Sequence, residues 1–123
     1  MIARVLVYGS LLSGEPNHRL LARATLVGAA KTQAGFNLHD LGAFPGMVAG
    51  GEGGVTGEVY DVDAATLARL DALEGHPRWY RRTPITLADG SAAETYLLTP
   101  RHVAGCPVVA SGDWRAHRRE KIR

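Results

Sequence analysis

A chain of 123 residues, 46% hydrophobic and 21% charged, is long enough to bury one core and too short for two, and this composition excludes disordered and fibrous classes. The net charge of +2 comes from a basic end, Arg115, His117, Arg118, Arg119, Lys121 and Arg123; such a tail reads as a solvated end, and the balanced body gives no reason to expect nucleic acid as a partner. The lone Cys106 allows no intrachain disulfide, and no run approaches the roughly twenty apolar residues that span a bilayer, so the expectation is a single domain over residues 1–123, cytoplasmic, with no signal peptide and no membrane partner.

Residues 2–8 are mostly apolar and β-rich, as in a strand buried on both faces, and run into the loop Gly9-Ser10-Leu11-Leu12-Ser13-Gly14. Pro16 suits a first helical turn, so Asn17 to Ala24 reads as a short helix with Leu20 and Leu21 inward. From Thr25 to Leu41 the glycines at 28 and 35 interrupt one or two bent strands. Residues 42–46 form a turn, and Met47-Val48-Ala49 reads as pairing with the alternating strand 55–62 in a hairpin across the glycine cluster at 50–54. Asp63 caps a helix whose last residue is Glu74, with Gly75 and Pro77 as its stop. Tyr80 to Leu87 and Ala92 to Leu98 form a second hairpin over Asp89-Gly90, and Thr99 to Arg123 is mostly loop around Val108-Val109-Ala110.

The chemistry concentrates at two places. At about 100° per residue Glu74 falls between Leu67 and Leu70 on the apolar side of its helix. Desolvation there raises a carboxyl pKa towards the range where one group both takes and returns a proton near neutrality. The same position suits a structural glutamate that reaches solvent or pairs with Arg69, Arg81 or Arg82, and position by itself favours that plainer reading. The second place is Tyr8-Gly9-Ser10-Leu11, where a buried strand opens into a loop whose successive N–H groups can converge on an anion. It has neither P-loop nor G-x-G-x-x-G spacing, so phosphate is not indicated. Cys106, between Gly105 and Pro107, reads as a small apolar filler, the five histidines show no ligand spacing, and no metal is implied. Trp79, Tyr80 and Trp114 read as core or rim aromatics.

Taken in order, Val7-Tyr8-Gly9-Ser10-Leu11, Pro16-Asn17-His18, Phe44-Pro45-Gly46, Val55-Thr56-Gly57-Glu58-Val59-Tyr60, Leu70-Asp71-Ala72-Leu73-Glu74-Gly75, Tyr80-Arg81-Arg82 and Gly112-Asp113-Trp114 resemble the γ-glutamylcyclotransferase-like family, its small γ-glutamylamine cyclotransferase branch above all. The resemblance spans nearly the whole chain and reverses the preference for a structural Glu74. It implies an α+β fold, a compact, partly closed mixed β-barrel flanked by short helices, with a pocket at the strand ends. It also implies a cofactor-free reaction in which the α-amine of a γ-glutamyl group attacks its own γ-carbonyl, giving 5-oxoproline and a free amine. On that reading Glu74 is the acid/base, the loop from Tyr8 through Gly9 and Ser10 to Leu11 holds the glutamyl part, and Tyr80 and Tyr96 position carboxylate or substrate through their hydroxyls. One departure is visible: the turn aromatic that is often tyrosine in the family is Phe44 here. The competing reading keeps the fold and pocket as a non-catalytic binding or scaffold domain for a small carboxylate. A weaker third reading is association of the basic end with nucleic acid.

Overall fold

The computed structural model describes residues 1–122, apart from the side chain of Ile122; Arg123, counted above in the basic tail, lies outside the described residues. In chain order the elements are β1 (Ile2–Val7), a 3-10 turn (His18–Leu21), β2 (Thr25–Lys31), β3 (Phe36–Asp40), β4 (Pro45–Ala49), β5 (Thr56–Asp63), α1 (Ala64–Glu74), β6 (Arg81–Thr86), β7 (Ala92–Leu97), a second 3-10 turn (Pro100–Val103) and α2 (Trp114–Ile122). Five strands form one mixed sheet in the order β2-β5-β1-β7-β6, and β3 and β4 form a separate two-stranded sheet. β1 lies antiparallel to β5 and parallel to β7.

β1 is buried on both faces in its second half, where Val5, Leu6 and Val7 follow one another, while Ile2 and Arg4 in its first half are exposed. Val5 and Val7 join the cluster that contains Leu67 and Leu70 of α1, while Leu6 between them joins Val59, Ile85, Leu87 and Ala93 on the other side. The period of two along a strand makes this division, and a central strand with consecutive apolar residues can satisfy both faces at once. The sheet curls until its edges touch through the Thr32–Leu87 bridge, where the Gln33 N–H donates to the Thr86 carbonyl (3.0 Å) and the Ala88 N–H to that of Lys31 (2.8 Å). Elsewhere it stays open, so the architecture is a mixed five-stranded sheet with helices rather than a closed barrel.

Three local expectations are corrected. The hairpin that includes β4 is made with β3, not with β5: Asp40 pairs with Pro45 and Phe36 with Ala49. The tight turn sits at Gly42 (φ 100°), whose N–H donates to the Asp40 carboxylate (2.7 Å). The glycine cluster prolongs pairing with β3 through a Phe36–Gly53 bridge. Pro45 is tolerated because it opens its strand. The helix expected over Asn17 to Ala24 is only the single 3-10 turn, with Leu21 buried and Leu20 partly so.

The basic end, expected to be loop, is largely helix α2, and it is docked rather than solvated. Trp114, 2% exposed, inserts among Tyr8, Leu38, Met47, Val55 and Val109, and the Asp113 carboxylate accepts the Ala116 N–H (3.2 Å) at the helix start. Arg115 reaches Glu58 (3.0 Å), Arg118 reaches Glu15, and His117 (2.8 Å) and Lys121 (2.6 Å) both reach Asp40.

Candidate active site

The site is built where β1 ends and α1 ends. In α1 the Asp63 carboxylate accepts the Thr66 N–H (2.7 Å), and Gly75, left-handed at φ 67°, closes the last turn. Leu67 and Leu70 seat one face of the helix in the core, and that rotation brings Glu74, one turn later, into a partly buried position beside the sheet. The chain then folds back around the helix end. The Trp79 N–H donates to the Gly75 carbonyl (2.9 Å) and the Tyr80 N–H to that of Glu74 (3.1 Å), so both aromatics come to flank the carboxylate.

The opposite wall is the loop after β1. Gly9 is required there, since a Cβ at this position would lie 2.8 Å from the Pro45 ring. Ser10 is clasped by Asn17, whose side-chain amide donates to the Ser10 hydroxyl (3.0 Å) and whose N–H donates to the Ser10 carbonyl (2.9 Å); His18 Nδ1 donates to the Leu11 carbonyl (2.9 Å). Among the described residues, no acceptor takes the N–H groups of Gly9, Ser10 or Leu11. Three consecutive donors are left for whatever enters. The following residue pair is braced from α2: Glu58 accepts the N–H (2.8 Å) and hydroxyl (2.6 Å) of Ser13, and Arg115 bridges Glu58 and the Ser13 carbonyl.

Between these walls lies a cavity of about 340 Å³, at the lower end of the range for small-molecule pockets. Tyr8, Gly9, Ser10, Leu11, Glu74, Tyr80 and Tyr96, the residues that the family resemblance assigns to the site, all line it. Sequence reasoning did not assign to the pocket Asn17, Phe44, Leu73 and Trp79, which also line it. Asn17 and Phe44 stood in the motifs, but nothing local signals that a residue at 17 will clasp Ser10.

The Glu74 carboxylate makes no hydrogen bond and no ion pair among the described residues, and burial pushes its pKa up from the usual 4.5 to about 7. The arginines that would have made it a structural residue are elsewhere: Arg82 pairs with Asp71 (3.0 Å) and Glu94 (3.0 Å), and Arg69 and Arg81 are exposed, with no ion pair among the described residues. The three tyrosine hydroxyls around it are committed as well. Tyr8 donates to the Tyr96 carbonyl (2.6 Å), Tyr80 to that of Pro45 (2.7 Å), and Tyr96 to the Asp71 carboxylate (2.7 Å). Their pKa values are raised, first by burial and further by neighbouring negative charge that includes Glu74, so they remain neutral phenols forming a stiff wall. Tyr80 and Tyr96 thus reach the site as expected, but with hydroxyl protons already given away.

A sequence profile of the family described as gamma-glutamyl cyclotransferase, AIG2-like, matches residues 5–116. The chain belongs to that family. The γ-glutamylcyclotransferase family protein YtfP of Escherichia coli K12 is 40% identical over 111 residues, 90% of this chain and 95% of its own. A Vibrio cholerae relative is 44% identical over 110 residues, covering 89% and 93%. Among solved structures, an AIG2-like protein of Mus musculus superposes with a TM-score of 0.77 at 28% identity, covering 87% of this chain and 85% of that one. The matched span of the family runs from Val5, before the Gly9 loop, through Glu74 to the first turn of α2, so both walls of the cavity belong to the part the family shares.

Proposed function

We propose that this family member is an active γ-glutamylcyclotransferase that converts a γ-glutamyl amine into 5-oxoproline and the free amine, with Glu74 as its acid/base. The observation that carries the proposal is a lone, desolvated carboxylate with no partner of its own, facing a loop with three unclaimed N–H donors across a cavity of small-molecule size.

The chemistry follows from those parts. A substrate α-ammonium is no nucleophile until it loses a proton, and a carboxylate with a pKa of about 7 accepts it near neutrality. The freed nitrogen attacks the γ-carbonyl carbon, a five-membered ring closes, and the carbonyl oxygen takes the negative charge. Protonated Glu74 returns its proton to the amine nitrogen, and the freed carboxylate takes the second proton from the ring nitrogen. The tetrahedral centre then collapses with cleavage of the bond to the amine; that last proton passes to the departing amine, which leaves as its ammonium form, so the enzyme ends as it began. The N–H groups of Gly9, Ser10 and Leu11 supply donors for the substrate carboxylate and for the developing oxyanion without placing a second charge beside Glu74. Ring closure depends on holding the glutamyl chain folded, and the stiff tyrosine wall limits the alternatives. In this scheme Tyr80 and Tyr96 shape the site rather than donate to the substrate.

The test is 5-oxoproline release from a panel of γ-glutamyl amides by the purified protein and by Glu74→Gln. Turnover by the first and its loss in a folded Glu74→Gln protein is expected. A Glu74→Gln protein with undiminished turnover sinks the catalytic assignment. Saturable binding without turnover across the panel, indifferent to Glu74, supports instead a non-catalytic carboxylate-binding domain, a reading the free N–H groups also permit.

A further inference from the structure

The cavity is graded from floor to rim. Tyr8, Leu11, Tyr80 and Tyr96 are at most 6% exposed, whereas Phe44, Leu73 and Trp79 are 37%, 41% and 48% exposed. The latter three come from separate places, the β3–β4 turn, the last turn of α1 and the turn beyond it, and they line the same opening. Large apolar side chains clustered in water at a pocket mouth gain from a covering group, and among the described residues no part of the chain covers these. Trp79 is also held in place, its ring meeting that of His102 edge-on at 4.7 Å.

The charges complete the picture. Of the residues lining the cavity, Glu74 is the only acid and no Lys, Arg or His is present. Arg78 and Arg81 flank Trp79 and Tyr80 in sequence without lining the cavity, and Asp71, Arg82 and Glu94 are tied to one another. Glu74 is engaged by the α-amine of the glutamyl group. Among the described residues that line the cavity there is therefore no cation for a carboxylate on the departing amine and no second anion for an ammonium. A charged end brought against Phe44, Leu73 and Trp79 would give up part of its water with nothing to pair with, whereas an apolar end would cover their exposed surface.

We infer that the group carried on the departing nitrogen is uncharged and apolar, so that this site selects γ-glutamyl amides of alkyl or arylalkyl monoamines over γ-glutamyl amino acids, peptides and diamine conjugates. The inference rests on the catalytic reading above and adds the half of the substrate that reading leaves open. Aromatic faces also attract cations, and the test separates the two effects.

Three amides of nearly equal length differ only in the charge at the far end: γ-glutamyl-n-pentylamide, the γ-glutamyl mono-amide of 1,4-diaminobutane, and γ-glutamyl-4-aminobutyrate. The pentylamide is expected to exceed both others in kcat/KM for 5-oxoproline release by about tenfold or more, the scale of leaving one polar end buried and unpaired. Phe44→Ala and Trp79→Ala are expected to raise its KM about threefold or more with a smaller change in kcat, and to move the two charged amides less. Equal rates, or a preference for either charged amide, overturn the inference. The ranking is also read without catalysis, as Kd for the three amides on the Glu74→Gln protein by calorimetry. Pentylamide binding no tighter than the charged pair overturns the inference even if nothing is turned over, whereas tighter pentylamide binding without turnover upholds it and overturns only the catalytic reading.

Discussion

Glu74 and Asp40 are both carboxylates drawn out of water, and their neighbours treat them in opposite ways. Asp40, 4% exposed, receives hydrogen bonds from Lys121, His117 and the Gly42 N–H, and these hold its pKa down to about 2. The Glu74 carboxylate receives no hydrogen bond among the described residues, and burial lifts its pKa to about 7. A third carboxylate, Asp71, stands one turn before Glu74 on the same helix and takes both Arg82 and Tyr96. Burial alone does not mark a carboxylate as reactive. What distinguishes Glu74 is that the residues able to satisfy it are turned to other partners: Arg82 to Asp71, Tyr80 to Pro45, Tyr8 to Tyr96.

The contrast can be broken at each carboxylate in turn. The largest effect is expected at Glu74→Gln, where losing the proton carrier lowers kcat by about a thousandfold, measured as 5-oxoproline release. The same variant sharpens the contrast in stability. A carboxyl whose pKa is raised on folding favours the folded state at low pH, and that advantage fades as pH rises from about 4.5 through about 7. Replacing Glu74 by an uncharged isostere should therefore stabilise the protein above pH 7, by about 2 kcal/mol once its partial exposure is allowed for, seen as a higher urea midpoint.

Asp40→Asn is expected to do the reverse, removing about 2 kcal/mol of stability while folded protein keeps its turnover. The sign with pH is also opposite. A carboxylate whose pKa is lowered contributes fully above its usual value of 3.8, and the contribution is lost as pH falls towards 2. Acid unfolding should accordingly lose part of its steepness below pH 4 in Asp40→Asn. The smallest effect is expected at Tyr96→Phe, which removes the hydroxyl from Asp71 and should cost about 1 kcal/mol without moving the pH dependence of turnover. A shifted pH profile in that variant would mean that Tyr96 acts on Glu74 directly.

Parts of this arrangement are legible in the sequence because they are local. Asp63, Gly75 and the spacing of Leu67, Leu70 and Glu74 define α1 and its inward side within a dozen residues, and Asp89-Gly90 defines the β6–β7 hairpin. What decides whether Glu74 is free is not local. It depends on Arg82 meeting Asp71 across 11 positions and on Tyr8 meeting Tyr96 across 88, pairings that no periodicity announces. The same reason hid α2. Apart from Trp114, its described side chains offer no apolar stripe, and four of them dock on acids between 57 and 103 positions away. The β3–β4 pairing was obscured differently, because Pro45-Gly46 looks like a turn and the glycines at 50–54 look like a hairpin tip, while the real turn is made by Gly42 with the Asp40 side chain.

The account is tested most directly by following the Glu74 carboxyl carbon by NMR across pH and, on the same protein, the pH dependence of kcat/KM for 5-oxoproline formation. The account predicts that the carboxyl titrates near pH 7 and that activity rises with pH along the same curve, since only the deprotonated form takes the α-ammonium proton. A Glu74 that titrates at its usual 4.5, or a rate whose acid limb ignores the midpoint of that titration, would contradict it.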